Sequence, residues 1–276
     1  MDFLHDLIEF DFLQNALLAI TLAAVAAGAI GSLVAVRRST YFAGAISHSV
    51  LAGLGLSLLL SRRWGLEVLS PTMGALLAAV AAALLLTAFG DSKRLRRDTL
   101  LSAVWTGAMA LGVVFVAATP GYRDDLESYL FGSLLLVTQS DLVGMAILDA
   151  VVLLLVIFCF NRFHAIAFNA ELARLRGVNV HRYEAIFHVA TALTVVLLVR
   201  VAGIVLAVAL LTLPAAAAGL LTRRLNRMMA LAAVLTFALS LVGLFAAYEA
   251  DLPPGGVIVL VALAFYALVA VVSRPR

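Results

Sequence analysis

The chain has 276 residues, of which 64% are hydrophobic and only 13% are charged, against roughly 25% charged residues in an ordinary soluble domain. This composition excludes a soluble globular protein and predicts a membrane protein. The formal net charge of +3 does not indicate nucleic-acid binding, because the basic residues cluster at the ends of apolar runs, where membrane topology requires them.

Apolar runs close to the ~20 residues that one helix needs to cross a bilayer recur along the chain. The acidic N-terminal segment, with Phe3, Leu4, Leu7, Ile8 and Phe12 at helical spacing, is predicted to form a short interfacial helix. The rest is predicted to be an all-α polytopic bundle of about nine transmembrane helices, with eight as the alternative, in a single transmembrane domain over 1–276. The predicted spans are 12–36, 41–60, 72–89, 99–118, 141–160, 185–200, 202–221, 228–248 and 257–272.

Basic residues set the predicted orientation of these spans. The connection 90–98 is the most basic in the chain, and the positive-inside rule places it in the cytoplasm. The N-terminus and the loop 119–128 then lie outside, and the C-terminus lies in the cytoplasm. Of the 19 Lys and Arg residues, only Arg62, Arg63, Arg123 and Arg200 fall outside.

The stretch 185–221 is too long for one crossing, because its 37 residues would measure ~55 Å as one helix against a hydrocarbon core of ~30 Å. We therefore predict a tight reversal near Arg200 to Gly203. Arg200 itself is interpreted as an interface anchor at a helix end. The apolar segment 129–140 is too short to cross, and we expect it at the outer interface or partway into the membrane.

Three ionisable residues lie inside predicted spans: His48, Asp149 and His188. Such residues are costly in a membrane and commonly serve a path, a pair or a ligand. The alternative for both histidines is a hydrogen-bonded packing role, and for Asp149 a place in a buried polar cluster. Imidazole and carboxylate suit zinc and manganese alike, so these residue types do not choose between the two metals.

Familiar enzyme motifs are absent from the sequence. There is no G-x-x-x-x-G-K-[ST] phosphate loop, and the single lysine, Lys93, lacks the required glycines. H-E-x-x-H and G-x-S-x-G are absent as well. The chain is therefore predicted to be a non-enzyme without its own ATPase and without a permanently bound cofactor.

One capped helix is predicted outside the membrane, in the connection 161–184. Asn169 is the predicted cap and Gly177 the predicted end. The pattern indicates a docking element, and its alternative is a solvated interfacial turn. The candidate docking residues are Ala170, Glu171, Leu172, Ala173, Arg174 and Gly177.

Five segments in order resemble the membrane permease subunit of the bacterial ABC transporters that import zinc, manganese or iron. Arg37 and Arg38, followed by Tyr41, Phe42, Ser47 and His48, are similar to the family's arginine pair and its Gly-Asp-x-(Leu/Ile)-(Ser/Ala)-His motif. The other four are ESYLFGSLLLVTQSDL (127–142), AELARLRGV (170–178), VAGIVLAVALLTLPAAAAGLL (201–221) and YEADLPPGGVIVL (248–260).

The resemblance implies an importer subunit in the bacterial plasma (inner) membrane, with zinc first among the metals and manganese or iron as alternatives. It implies a second copy of the chain, a cytoplasmic ATPase subunit that docks on 170–177, and a periplasmic or lipoprotein metal-binding protein. Two residues depart from the family: Gly44 stands where an aspartate is usual, and Ser133 where an acid is frequent. Asp149 is predicted to replace the missing carboxylate beside His48, with His188 as a further ligand.

Two other classes of function stay open at this point. The first is a self-contained secondary transporter or channel with Asp149 and the histidines as a proton relay. The second is an intramembrane enzyme, which is disfavoured because no second catalytic group is spaced to assist His48.

Overall fold

The fold is all-α, in a computed structural model that describes residues 5–6, 9–66, 69–90, 96–120, 132 and 134–273. The helices are α1 Asp11–Val36, α2 Thr40–Trp64, α3 Pro71–Gly90, α4 Arg97–Ala117, α5 Gln139–Phe168, α6 Ala170–Leu175, α7 Val180–Leu221, α8 Leu225–Ala250 and α9 Pro254–Val272. A single 3-10 turn, Leu134–Leu136, precedes α5. The predicted fold class is confirmed.

Eight helices of spanning length lie among the described residues, the number predicted as the alternative to nine. The segment predicted as the crossing 202–221 is a shorter apolar helix, Leu206–Leu221, which measures only ~24 Å at 1.5 Å per residue. The chain reverses inside α7 at Gly203, whose φ of 77° and ψ of 171° are non-helical. We call the two parts α7a, Val180–Ile204, and α7b, Leu206–Leu221.

The contacts of α7 show that its chain folds back. Near the start of α7a, Glu184 pairs with Arg37, and near its end Arg200 contacts Thr72 and Asp141. The end of α7b then returns to the first side, because Arg223 lines the same cavity as Arg38. The reversal predicted near Arg200 to Gly203 is therefore confirmed. We call the two ends of the bundle the Arg37 face and the Arg200 face.

Small residues let the central helices approach closely. α1, α2 and α7a are the most buried spanning helices, and α4, α5 and α9 the least. At the contact between α2 and α3, a Cβ on Gly53 or on Gly74 would collide with the carbonyl oxygen of the other glycine. Only two glycines permit this backbone contact, which is a common arrangement between membrane helices.

The segment 129–140 does not cross the bundle in its described part. A Cβ on Gly132 would lie 2.6 Å from the backbone nitrogen of Gly203, and Leu134 is buried. Asn15 donates a hydrogen bond to the carbonyl of Val137 at 3.2 Å. Protein therefore covers this non-helical backbone, as a position in or near the membrane requires.

Some predictions lie outside the described residues: most of the N-terminal interfacial helix, most of the basic connection and of the loop 119–128, and Ser133. The orientation of the N- and C-termini across the membrane stays a prediction.

Candidate functional site

His48 lies on α2, one of the three central helices. Its half-buried ring stacks on Trp105 of α4, with ring centroids 4.7 Å apart and an interplanar angle of 21°. The imidazole is therefore held in place by an aromatic neighbour on a helix that is itself largely exposed.

Gly44 lies one helical turn before His48, on the same side of α2. A Cβ on Gly44 would lie 2.8 Å from Cζ3 of Trp105. The indole thus fills the place where the family resemblance leads one to expect an aspartate. With Trp105 in this position, residue 44 has no room for a carboxylate side chain.

His188 lies on α7a with only 4% of its surface exposed. Its Nδ1 is 2.7 Å from Oγ1 of Thr87, and its ring stacks on Phe42 with centroids 3.7 Å apart. Because the Thr87 hydroxyl donates its proton to the carbonyl of Ala83, it accepts a proton from Nδ1. This assigns the Nδ1–H tautomer and leaves the lone pair on Nε2, the arrangement in which a histidine can ligate a metal.

Asp149 lies on α5 and is 6% exposed. Its Oδ1 is buried and has no hydrogen-bond partner among the described residues. α5 packs on α1 and α7, whereas His48 faces α4. Asp149 and His48 therefore belong to different helix contacts within one chain.

The structure does not bring His48, Asp149 and His188 into one three-ligand cluster. In the part of the chain that is described, the ligand atoms of three His, Cys, Asp or Glu residues come within 4.8 Å of one another only at His5, Asp6 and Glu9. The roles of His48, Asp149 and His188 as metal ligands stay predictions.

The predicted docking element is helix α6. Asn169 caps it by accepting a hydrogen bond from the backbone N–H of Leu172 at 2.9 Å, and Gly177 follows it with a φ of 81°. Leu175 is 85% exposed and Glu171 and Arg174 are exposed as well, while Ala173 is buried against Ile166 and Val180. One side of α6 anchors it to α5 and α7, and the other exposes apolar and charged groups.

An ion pair that sequence analysis missed lies at the Arg37 face. Nη2 of Arg37 is 2.7 Å from Oε1 of Glu184, and the guanidinium lies 4.6 Å from the ring centroid of Phe187. The side chains are 11% and 20% exposed. Burial lowers the pKa of Arg37, and the charge of Glu184 opposes that shift. A sequence feature that could have indicated this pair is the acidic residue Glu184, which lies one helical turn before His188.

A second ion pair lies at the Arg200 face. Nη1 of Arg200 is 3.0 Å from Oδ1 of Asp141, and Nη2 donates to the hydroxyl of Thr72. The interpretation of Arg200 as an interface anchor is therefore incomplete, because this residue also ties α7a to α3 and α5.

Residues 9–273 match the ABC 3 transport family. The chain belongs to this family. The ABC 3 match covers almost the whole chain, so the resemblance noted in the sequence is confirmed.

Relatives support the same assignment. The chain is 32% identical to the probable metal transport system membrane protein of Chlamydia trachomatis, over 94% of this chain and 88% of that protein. It is 31% identical to the manganese transport system membrane protein MntC of Listeria monocytogenes, over 95% and 91%. Among solved structures, PsaBC from Streptococcus pneumoniae in complex with Fab matches with a TM-score of 0.86 and 30% identity, over 97% of this chain and 94% of that chain.

Membership of the ABC 3 family makes this protein a multi-pass transport subunit of the plasma membrane rather than an enzyme. Subunits of this kind work with an ATPase and a substrate-binding protein.

Proposed function

We propose that this ABC 3 protein forms the membrane pathway of an ATP-driven importer of a divalent transition metal, with zinc as the preferred metal. Relatives named as metal and manganese transport proteins support the class of cargo. The sequence has no phosphate loop, so ATP-driven transport requires an ATPase in another subunit. The metal is cargo, and no permanently bound cofactor is proposed.

The stacking of His48 on Trp105, with the indole against Gly44, is the observation that favours zinc. Imidazole suits both metals, but a carboxylate oxygen at residue 44 would add a ligand of the kind that manganese prefers, and the indole of Trp105 leaves no room for it. In this chain the imidazole is kept and the neighbouring carboxylate position is filled by carbon. Transport also requires release, so a few protein ligands with water fit better than a closed four-ligand site.

A second copy of the chain is proposed to complete the pathway beside α4. α4 is the least buried spanning helix, with 11% of its apolar window buried, and it carries the Trp105 on which His48 stacks. Packing of two α4 helices would cover this surface and enclose the half-buried His48 between the copies.

The other partners are assigned to the two ends of the bundle. The ATPase subunit is proposed to bind α6 at the Arg37 face, because Leu175 and the charged residues of α6 are exposed there. The periplasmic or lipoprotein metal-binding protein is proposed to deliver metal at the Arg200 face. With the basic residues inside, this arrangement makes transport inward.

Metal uptake by vesicles that contain the reconstituted complex tests the proposal. We expect uptake of zinc that requires ATP, and slower uptake of manganese at equal free concentration. Uptake driven by an ion gradient without ATP would instead support the secondary-transporter alternative, in which the buried Asp149 would act as a relay. Faster uptake of manganese than of zinc would contradict the proposed preference for zinc but not the proposed ATP-driven metal import.

A further inference from the structure

The ion pair between Arg37 and Glu184 joins the connection of two central helices to the start of a third. α1 ends at Val36 and α2 begins at Thr40, so Arg37 lies in a short connection. The next residue, Arg38, has a φ of 52°, a left-handed conformation that is uncommon for a residue with a side chain. Backbone hydrogen bonds from Arg37, Arg38 and Ser39 to the last turn of α1 fix this connection, so Arg37 is held close to the ends of both α1 and α2.

Glu184 lies just beyond the part of α7a that is bound to α6. Ala173 of α6 packs against Val180, and the carbonyl of Ala173 accepts a hydrogen bond from the backbone N–H of Val178 at 3.0 Å. Glu184 follows Val180 by one helical turn. A displacement of α6 would accordingly move the first turns of α7a and Glu184 with them.

The next turn of α7a contacts the residues on the other side of the ion pair. Phe187 lies under the Arg37 guanidinium, and His188 stacks on Phe42 of α2. His48 is six residues further along α2. Continuous contacts therefore run from α6 through α7a to the helix that carries His48.

The ion pair is only partly satisfied. Nη1 of Arg37 is buried and has no hydrogen-bond partner among the described residues. Buried polar atoms are normally hydrogen-bonded, so an unsatisfied Nη1 in this partly buried pair calls for an explanation. An incomplete pair at the meeting point of three helices fits a contact that changes partners as the helices move.

We propose that Arg37 and Glu184 are the positioning residues through which movement of α6, driven by the ATPase, reaches the helices that hold His48 and His188. This inference rests on the proposed function and adds to it the residues that couple ATP hydrolysis to opening of the path. Neither residue contacts the metal in this role.

The test measures ATP hydrolysed per metal ion transported by the whole reconstituted complex. We expect Glu184→Gln and Arg37→Gln to raise this ratio about tenfold, because hydrolysis continues while the path fails to respond. The exchanged pair Arg37→Glu with Glu184→Arg should recover at least about half of the coupling. Asp141→Asn is the matched control, since it breaks the other ion pair at the opposite face and should leave the ratio near the wild-type value.

Hydrogen exchange gives a second measurement on variants that transport nothing. In the wild-type chain, binding of the ATPase should change the protection from hydrogen exchange of both 180–188 and 37–42. In the Glu184→Gln variant, it should change the protection of 180–188 only. An unchanged ATP-to-metal ratio in both single variants would overturn the inference. Proportional loss of hydrolysis and transport, with protection at 37–42 still responding, would also overturn it by showing a purely structural role. Absence of ATP-dependent transport by the wild-type complex would reject the proposed function itself.

Discussion

Trp105 lies against both His48 and Gly44, so one indole holds the imidazole of α2 and closes the neighbouring position to any larger side chain. The two contacts place aromatic carbon beside His48 where a carboxylate oxygen would otherwise stand. Under the proposed zinc preference, metal selection and helix packing would depend on the same side chain.

His48→Ala is expected to reduce zinc uptake about tenfold or more, because the path loses its imidazole ligand. Uptake of radioactive zinc by cells, at matched amounts of the complex, measures the effect. Ser49→Ala is the control, since within the described part of the chain the Ser49 hydroxyl donates its hydrogen bond to the carbonyl of Ala45 in its own helix. Wild-type uptake by the His48 variant would remove this residue from the path.

The predicted pairing of Asp149 with His48 is tested by the double variant. If both side chains hold the same ion during the cycle, Asp149→Asn added to His48→Ala should lose little more uptake than the worse single variant. Losses that multiply would show that the two residues act independently and would reject the pairing.

Gly44→Asp alone is expected to lower stability by about 1–3 kcal/mol, because the new side chain collides with the indole of Trp105. Adding Trp105→Ala should recover part of the loss and raise the ratio of manganese to zinc uptake, since a carboxylate then stands one turn from His48. Thermal unfolding in detergent and competitive uptake of the two metals measure these effects. If Trp105→Ala alone shifts the ratio equally, the carboxylate is not responsible.

Glu171→Arg is expected to weaken binding of the ATPase about tenfold, because it reverses an exposed charge on α6. Co-purification and ATP-dependent uptake provide the measurement. Glu249→Arg is the matched control, because Glu249 is also exposed and lies at the Arg200 face. Normal assembly and uptake by the Glu171 variant would place the ATPase contact elsewhere.

Cysteine labelling tests the predicted orientation, in a background in which the single Cys159 is replaced by Ala. With a reagent that does not cross membranes, Arg63→Cys should be labelled on intact cells and Arg176→Cys only after permeabilisation. Both positions are exposed, so a difference between them reports sidedness rather than burial. Labelling of Arg176→Cys on intact cells would show that the orientation across the membrane is opposite to the predicted one.

Sequence patterns predicted the helices well where a local signal exists. Span 12–36 corresponds to Asp11–Val36 because a long apolar run can only be helical in lipid. The cap at Asn169 correctly predicted that α6 starts at Ala170. The length of α7b was overestimated because the depth of the reversal depends on packing of Gly203 against Gly132, which no local pattern reports.

The arrangement around the candidate site was largely beyond sequence analysis. Arg37 and Glu184 are 147 residues apart in the chain, and hydropathy carries no information on which distant charges meet. The contact of Trp105 with Gly44 likewise joins two helices through side-chain shape. Residue types identified His48, Asp149 and His188 as notable, but only tertiary packing shows that His48 lies against α4 whereas His188 lies against α2 and α3.

The reversal at Gly203 also has an electrostatic consequence. Helix α7b begins among buried residues, with Ile204 and Ala207 fully buried and the carbonyl of Ile204 accepting a hydrogen bond from Ser47. The first N–H groups of a helix lack partners within it, and its dipole places partial positive charge at that end. Inside a membrane this positive end repels a divalent cation with little screening. Under the proposed function, this charge disfavours a metal route along the side of α2 that carries Ser47, which leaves the side of His48 and Trp105 as the proposed route.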